Sequence, residues 1–169
     1  MKSKKNTFVS RAAVGCVTTA IFLLLCIIKG IYPFGIATLD TVDFQSQWIP
    51  AYYHVWDVLH GDGSAFFDWR VGGGNNFAGV SAQFSLFSPF NLFFLFVKRS
   101  WIEKSMIVFI IIKLLAMGYG MRWFLKEQIL KEERYGIYIL AGSVGYAVNG
   151  YTLLYYGMGW LDVAAILPL

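Results

Sequence analysis

The chain is 169 residues long, and its composition differs from that of a water-soluble domain. Hydrophobic residues make up 57% of it and charged residues 14%, whereas an ordinary soluble domain has about 25% charged residues. This composition excludes a disordered chain, a collagen-like chain and a small disulfide-rich secreted protein. It indicates a protein that crosses a membrane several times. The formal net charge of +4 is then more typical of basic cytoplasmic flanks than of nucleic-acid binding.

The first membrane helix is predicted over residues 12–34. A basic tail, residues 1–11, precedes it, and residues 12–28 carry no charge. A helix of about 20 residues is long enough to cross a bilayer. A cleaved signal peptide is the alternative, but the apolar run exceeds the usual length of about 7–15 residues, and no small-residue cleavage site follows it. The basic tail predicts a cytoplasmic amino terminus.

Residues 35–104 form a loop predicted to lie outside the cell. Up to residue 83, acidic residues outnumber basic ones, with Asp40, Asp43, Asp57, Asp62 and Asp68 against Arg70. Within residues 41–59, Phe44, Trp48, Tyr52 and Val55 recur at helical spacing and form one apolar stripe, which suits a helix lying on the membrane surface. Glycine-rich stretches at 61–64 and 72–76 predict breaks.

Two further membrane helices are predicted over residues 105–125 and 135–156, joined by a cytoplasmic loop at 126–134. Residues 84–97 are apolar but too short to span, so we expect an interfacial or re-entrant segment. This topology places more basic residues inside than outside. Residues 157–169 resemble the start of another helix, which predicts that the chain is a truncated piece. The predicted fold is an all-α, polytopic transmembrane bundle with about three membrane helices, and small residues of the third (Ala141, Gly142, Gly145 and Gly150) favour close helix contact.

Three charged residues are candidates for chemistry. Asp40 and Asp43 share one helix face at i, i+3 and could act as a general base or hold a divalent cation. Equally, Asp40 could cap a helix and Asp43 could stabilise its first turn. Lys113 lies within an apolar span, where a cation either binds a phosphate or carboxylate or snorkels to the headgroups.

Other polar and aromatic groups carry weaker signals. His54, Asp57 and His60 are spaced too loosely to predict a metal site, so we expect a solvated loop face there. The glycine run at 72–74 is not a phosphate-binding loop. The loop aromatics suit either an interfacial belt or stacking on sugar rings; they are Trp48, Tyr52, Tyr53, Trp56, Phe66, Phe67 and Trp69.

An ordered series of segments resembles the YfhO-type bacterial membrane proteins. The segments are residues 41–50 (TVDFQSQWIP), 67–69 (FDW), 72–77 (GGGNNF), 86–92 (LFSPFNL), 113–118 (KLLAMG), 146–150 (YAVNG) and the stretch from 160 to 169. Trp48 stands where tyrosine is more usual, which is a mild departure. The resemblance covers nearly the whole chain.

The resemblance implies the amino-terminal part of a longer membrane glycosyltransferase of the GT-C class. Such an enzyme transfers sugar from a polyprenyl-phosphate donor to a cell-wall polymer such as lipoteichoic acid, on the outer face of the bacterial cell membrane. It implies catalysis by Asp43, with Asp40 second, and substrate binding by Lys113, Gln47, Trp48 and Asn76. It does not decide whether a divalent cation is used. A transporter or lipid-sugar flippase and a non-catalytic membrane scaffold remain the alternatives.

Overall fold

The computed structural model describes residues 2–37, 39, 43–70, 73–76, 88–130, 136–155 and 160–168, with side chains described from residue 11 onward except that of residue 160. Six α-helices lie in these ranges: α1 (Lys2–Ile28), α2 (Ile49–Leu59), α3 (Ile102–Phe124), α4 (Gly136–Ala147), α5 (Gly150–Tyr155) and α6 (Trp160–Ile166). Single π-helical turns precede α2 (Phe44–Trp48) and follow α3 (Leu125–Ile129). The described chain has two isolated β-bridges and no named strand. The all-α prediction is confirmed.

Three helical stretches are long and apolar enough to cross a membrane. They are Arg11–Ile28, Arg99–Ile129 and Gly136–Tyr155, so the prediction of about three membrane helices is confirmed. The helix of the first span begins already at Lys2, within the predicted tail. The direction in which these helices cross stays a prediction.

The helix α3 is the centre of the bundle, because α1, α4 and α6 all pack against it. All three long helices come close together at Gly118 of α3: a Cβ atom there would lie 3.2 Å from Val14 Cγ1 of α1 and 3.6 Å from Ala147 Cβ of α4. The expectation that the small residues of the third span mediate contact is only partly correct. A Cβ atom on Gly142 would meet Leu125, but one on Gly145 or Gly150 would meet no atom within 4 Å.

The amphipathic stripe of α2 and its preceding π turn is buried in the protein. Its four residues, Phe44, Trp48, Tyr52 and Val55, are each at most 4% exposed. The Tyr52 ring lies 5.2 Å from that of Phe94 and 5.3 Å from that of Phe109 on α3. The predicted helical stripe is therefore confirmed, but it packs on aromatic side chains of the protein and not on the membrane surface.

The short apolar segment before α3 is a 3₁₀ helix, Pro89–Phe96. Ser88 begins it, because its side-chain oxygen accepts a hydrogen bond from the Phe90 backbone N–H at 3.2 Å. Eight residues at about 2.0 Å per residue extend roughly 16 Å, well short of the bilayer core of about 30 Å. In this form the segment is too short to span. Residues 84–87 lie outside the described residues.

The contact at Gly118 gives a test of the bundle. Gly118→Leu places a side chain into the contact among α1, α3 and α4, and such overpacking costs about 1–3 kcal/mol. We expect a clearly lower midpoint of thermal unfolding for the detergent-solubilised protein. Gly145→Leu is the matched control, since its new side chain meets open space, and it should leave the midpoint nearly unchanged. Equal midpoints for the two variants would contradict the described packing.

Candidate functional site

A cavity of about 330 Å³ lies at the end of the bundle where α1 ends and α3 begins; we call this the loop-end cavity. Its walls are mainly apolar and come from residues 31–37 and 39, from the segment of the π turn and the start of α2, and from the first turns of α3. Ile31, Leu39, Phe44, Ile49, Met106 and Ile107 line it, together with the polar side chains of Gln45, Glu103 and Lys104. Ligand pockets are about 300–1,000 Å³ in volume and mostly apolar, so this cavity is large enough for a small ligand or one apolar chain.

Asp43 lies immediately before the π turn, and its side chain is exposed. Its backbone carbonyl accepts hydrogen bonds from Gln47 N at 2.9 Å and Trp48 N at 3.4 Å, whereas its carboxylate makes no capping hydrogen bond. The next two residues, Phe44 and Gln45, line the loop-end cavity. Asp43 therefore directly precedes two residues of the cavity wall, and its carboxylate makes no capping hydrogen bond to the helix that it precedes. Asp40, the second predicted catalytic residue, lies outside the described residues.

The other predicted substrate-binding residues lie in different surroundings. Gln47 is exposed and lies in the π turn that Asp43 precedes. Trp48 is 3% exposed, and its ring lies 6.2 Å from that of Tyr52 in the core. Asn76 is exposed and follows a short hairpin closed by backbone hydrogen bonds between Asp68 and Asn75. The structure thus joins Asp43 and Gln47 on one turn, and the substrate-binding roles stay predictions.

The glycine run near Asn76 has a structural explanation. Gly73 and Gly74 have φ angles of 78° and 110°, which side-chain-bearing residues rarely adopt. A Cβ atom on Gly74 would lie 2.7 Å from Trp69 Cε3. These glycines allow the hairpin to turn closely over the Trp69 ring.

Lys113 is buried in the centre of the bundle and does not snorkel. It is 1% exposed, and its Nζ lies 2.7 Å from Oδ1 of Asp162 on α6 and 4.3 Å from the centroid of the Phe109 ring. Within the described chain these two atoms have no other hydrogen-bond partner. Asp162 neutralises the ammonium group, so a ligand could reach Lys113 only if the pair opened. Phosphate binding by Lys113 stays a prediction.

Asp162 is a residue whose role was missed from the sequence, although a signal for it exists. Lys113 is the sole charged residue in 105–121, and Asp162 is the sole charged residue in 136–169. A lone cation and a lone anion in separate apolar helices are each costly in a membrane unless they pair. Their complementary charges could have predicted the contact between α3 and α6.

A second ionic group, which we call the arginine–aspartate cluster, lies in the loop and consists of Asp57, Asp68, Arg70 and Arg99. Asp57 is buried and accepts hydrogen bonds from Arg99 Nε at 2.7 Å and Arg70 Nη1 at 2.8 Å. Asp68 accepts one from Arg70 Nη2 at 2.6 Å. The Arg99 hydrogen bond lowers the pKa of Asp57, although burial opposes it, and the Arg70 hydrogen bonds lower the pKa of Asp68.

The prediction that His54, Asp57 and His60 form a solvated loop face is therefore partly wrong. His54 and Asp57 are buried, and His54 Nε2 lies 3.1 Å from the Ser64 carbonyl oxygen. His60 is exposed and stacks on Trp56. No group of three metal-ligating side chains occurs among the described residues. The burial of Asp57 could not be predicted, because spacing along the chain does not reveal that Arg70 and Arg99 fold back onto α2.

The loop aromatics fall into distinct groups. Trp48 and Tyr52 belong to the core, whereas Phe66, Phe67 and Trp69 are exposed. Tyr53 and Trp56 are half-buried and are held by polar contacts: the Tyr53 hydroxyl donates to Glu103 at 3.2 Å, and Trp56 Nε1 donates to the Val97 carbonyl at 2.7 Å. The prediction of an interfacial belt or of stacking on sugar rings therefore applies mainly to the three exposed rings, those of Phe66, Phe67 and Trp69.

Comparison with known families agrees with the architecture. The family described as bacterial membrane protein YfhO matches residues 15–169. The chain belongs to this family. No curated protein and no solved structure matches it. Family membership and the three apolar helices together establish a membrane protein whose helices contact lipid.

The arginine–aspartate cluster predicts a dependence of stability on pH. Since the folded-state pKa of Asp57 and Asp68 lies below the ordinary value of 3.8, their contribution to stability is present in full above about pH 4 and is lost as the pH falls through the folded-state values. Thermal unfolding in detergent, followed by tryptophan fluorescence, should show a falling midpoint below pH 4. Asp57→Asn should reduce that dependence.

Asp62→Asn is the matched control for Asp57→Asn, because Asp62 is exposed and its carboxylate has no ion pair within the described chain. Its pH dependence should equal that of the parent protein. At pH 7, Asp57→Asn should cost about 1–3 kcal/mol, since it weakens the charge-assisted hydrogen bonds that the half-exposed Arg70 and Arg99 donate to this buried side chain. A pH profile for Asp57→Asn identical to that of Asp62→Asn would contradict a role for the cluster.

The Lys113–Asp162 pair predicts a non-additive double substitution. Lys113→Met or Asp162→Leu alone leaves a buried charge without its partner, which costs about 3–5 kcal/mol. The double variant removes both charges, so its midpoint of thermal unfolding should lie well above those of both single variants and near that of the parent protein. Additive losses would show that the two side chains do not interact.

Proposed function

We propose that the chain is the amino-terminal part of a membrane glycosyltransferase that transfers sugar from a polyprenyl-phosphate donor to a cell-wall polymer such as lipoteichoic acid. The observation that carries the proposal is the position of Asp43, an exposed carboxylate with no capping hydrogen bond. It precedes two residues that line an apolar cavity. Membership of the YfhO family and the resemblance to the GT-C class support the same proposal.

In the proposed reaction Asp43 acts as general base. Its carboxylate takes the proton from an acceptor hydroxyl group, and the hydroxyl oxygen forms a bond to the anomeric carbon of the donor sugar. The bond between that carbon and the phosphate oxygen breaks, and the electron pair leaves with the phosphate. Gln47, one helical turn away and exposed, is the residue we propose to hydrogen-bond the acceptor.

The proposal requires the loop of residues 35–104 to face the outside of the bacterial cell, with the amino terminus in the cytoplasm. The basic residues Lys2, Lys4, Lys5 and Arg11 at the start of the chain support this orientation, because cytoplasmic flanks are enriched in lysine and arginine. The donor and the polymer acceptor would then meet at the outer surface, next to Asp43.

Asp43→Asn in the protein that contains this chain tests the proposed base. The amide keeps the size of the side chain but cannot accept the proton, so the rate of polymer glycosylation in membranes should fall by about 10²–10⁴-fold, with an unchanged amount of protein. The control is Asp62→Asn, which removes another exposed loop carboxylate and should keep the parent rate. Normal glycosylation by Asp43→Asn would rule out this role.

A transporter of a lipid-linked sugar is the second candidate, and the buried Lys113–Asp162 pair favours it. Ionisable pairs inside a membrane often mark a transport pathway. The double variant Lys113→Met, Asp162→Leu separates the two functions. A glycosyltransferase that uses Asp43, and a cation other than Lys113 for the phosphate, should keep its transfer rate once both charges are removed together, whereas a transporter that uses the pair should lose transport.

A further inference from the structure

Lys104 provides a positive charge at the wall of the loop-end cavity. Its side chain is exposed, and its ammonium group lies 5.4 Å from the centroid of the Trp101 ring and 6.0 Å from that of Tyr32. No carboxylate oxygen of the described residues lies within 4 Å of it. A lysine beside aromatic rings at the end of an apolar helix is typical of the level of the lipid headgroups.

Glu103, the acidic residue of the cavity wall, is engaged elsewhere. Its carboxylate accepts a hydrogen bond from the Tyr53 hydroxyl at 3.2 Å. The cavity therefore combines apolar walls with a lysine that makes no ion pair among the described residues and a glutamate whose carboxylate is held by Tyr53. This combination is complementary to an amphiphile that has an apolar chain and an anionic head.

We propose that the loop-end cavity binds the first part of the chain of a single-chain lipid phosphate, with Lys104 binding the phosphate. The volume of about 330 Å³ lies at the lower limit for ligand pockets, so it suits one chain better than the two chains of an ordinary phospholipid. The inference rests on the proposed function, because the lipid would be the polyprenyl carrier of the donor sugar.

The position of Asp43 next to this cavity gives the site a role in the transfer reaction. Phe44 and Gln45 line the cavity, and Asp43 directly precedes them. A phosphate held at Lys104 would leave as an anion whose charge the ammonium group stabilises. Lys104, and not the buried Lys113, then supplies the cation for the leaving phosphate.

The experiment uses the protein that contains this chain, reconstituted in phosphatidylcholine vesicles, and a farnesyl monophosphate probe that carries a diazirine on its chain. Ultraviolet light should attach the probe to residues 31–49 or 103–107. Lys104→Gln should reduce labelling about tenfold, since it removes one charge-assisted contact, and Lys104→Arg should retain labelling. Lys98→Gln, another exposed lysine of the loop that does not line the cavity, is the matched control and should label normally.

Competition identifies which part of the lipid is recognised. Unlabelled farnesyl phosphate should compete strongly, whereas farnesol, which lacks the phosphate, and phosphatidylglycerol, which has two chains, should compete weakly. Ala37→Trp, which fills the cavity from its wall, should abolish labelling. Equal labelling of Lys104→Gln and Lys98→Gln, equal competition by farnesol, or equal competition by phosphatidylglycerol would each overturn the proposal.

The failure of this proposal can be distinguished from failure of the proposed glycosyltransferase. Asp43→Asn should bind the probe like the parent protein while it loses transfer. If it binds the probe and also transfers sugar at the normal rate, the assignment of the base is wrong and the lipid-phosphate site stands. If transfer is lost in Asp43→Asn but Lys104→Gln labels normally, the base stands and the site at Lys104 is wrong.

Discussion

The need to neutralise Lys113 inside the bundle is the constraint that determines where α6 packs against α3. An ammonium group in the middle of an apolar helix is stable only when an anion neutralises it, and Asp162 is the partner within 2.7 Å. The pair joins α3 to α6, and the Lys113 Nζ also lies 5.8 Å from the centroid of the Tyr52 ring of α2. One buried charge thus connects the central helix, a helix close to the end of the described chain and the helix that follows Asp43.

Aromatic packing around this pair joins α2, the helix that follows the π turn, to α3 and to the 3₁₀ helix Pro89–Phe96. Tyr52, Phe94 and Phe109 are in mutual ring contact, with centroids 4.9–5.3 Å apart. Such contacts add to the free energy of burial, and they fix the face of α2 that turns towards α3. The exposed carboxylate of Asp43 therefore projects from a segment whose opposite side is anchored in the core. Under the proposed function, a general base at Asp43 would be positioned more precisely than one on an unsupported loop.

Much of the fold could be predicted from the sequence, because length, hydropathy and helical spacing are local properties. They located three membrane helices and the apolar stripe of Phe44, Trp48, Tyr52 and Val55. The burial of that stripe inside the protein could not be predicted, since it depends on Phe94 and Phe109, which are distant in the sequence. The arginine–aspartate cluster was missed for the same reason: Arg99 reaches Asp57 across 42 positions. Asp43 could be proposed as a site residue from its position in the loop and from the family resemblance. The cavity lined by Phe44 and Gln45 could not be predicted, because its walls come from segments that are distant in the sequence.

The contrast between two lysines on α3 bears on how a membrane site can handle an anion. A cation that binds a substrate and later releases a product must be accessible in each cycle, and its alternative partner must be water or a weak contact. Lys113 does not meet this condition in the described structure, because it is buried and paired with a carboxylate, and opening that pair would expose two charges to a medium of low dielectric constant. Lys104 meets it, because it is exposed and contacts aromatic rings, which hold a cation at an exposed site by only about 0.5–1 kcal/mol. A phosphate can replace such contacts at little cost. The sequence drew attention to Lys113 because a charge in an apolar run is conspicuous, but that same isolation is the reason the protein must neutralise it internally.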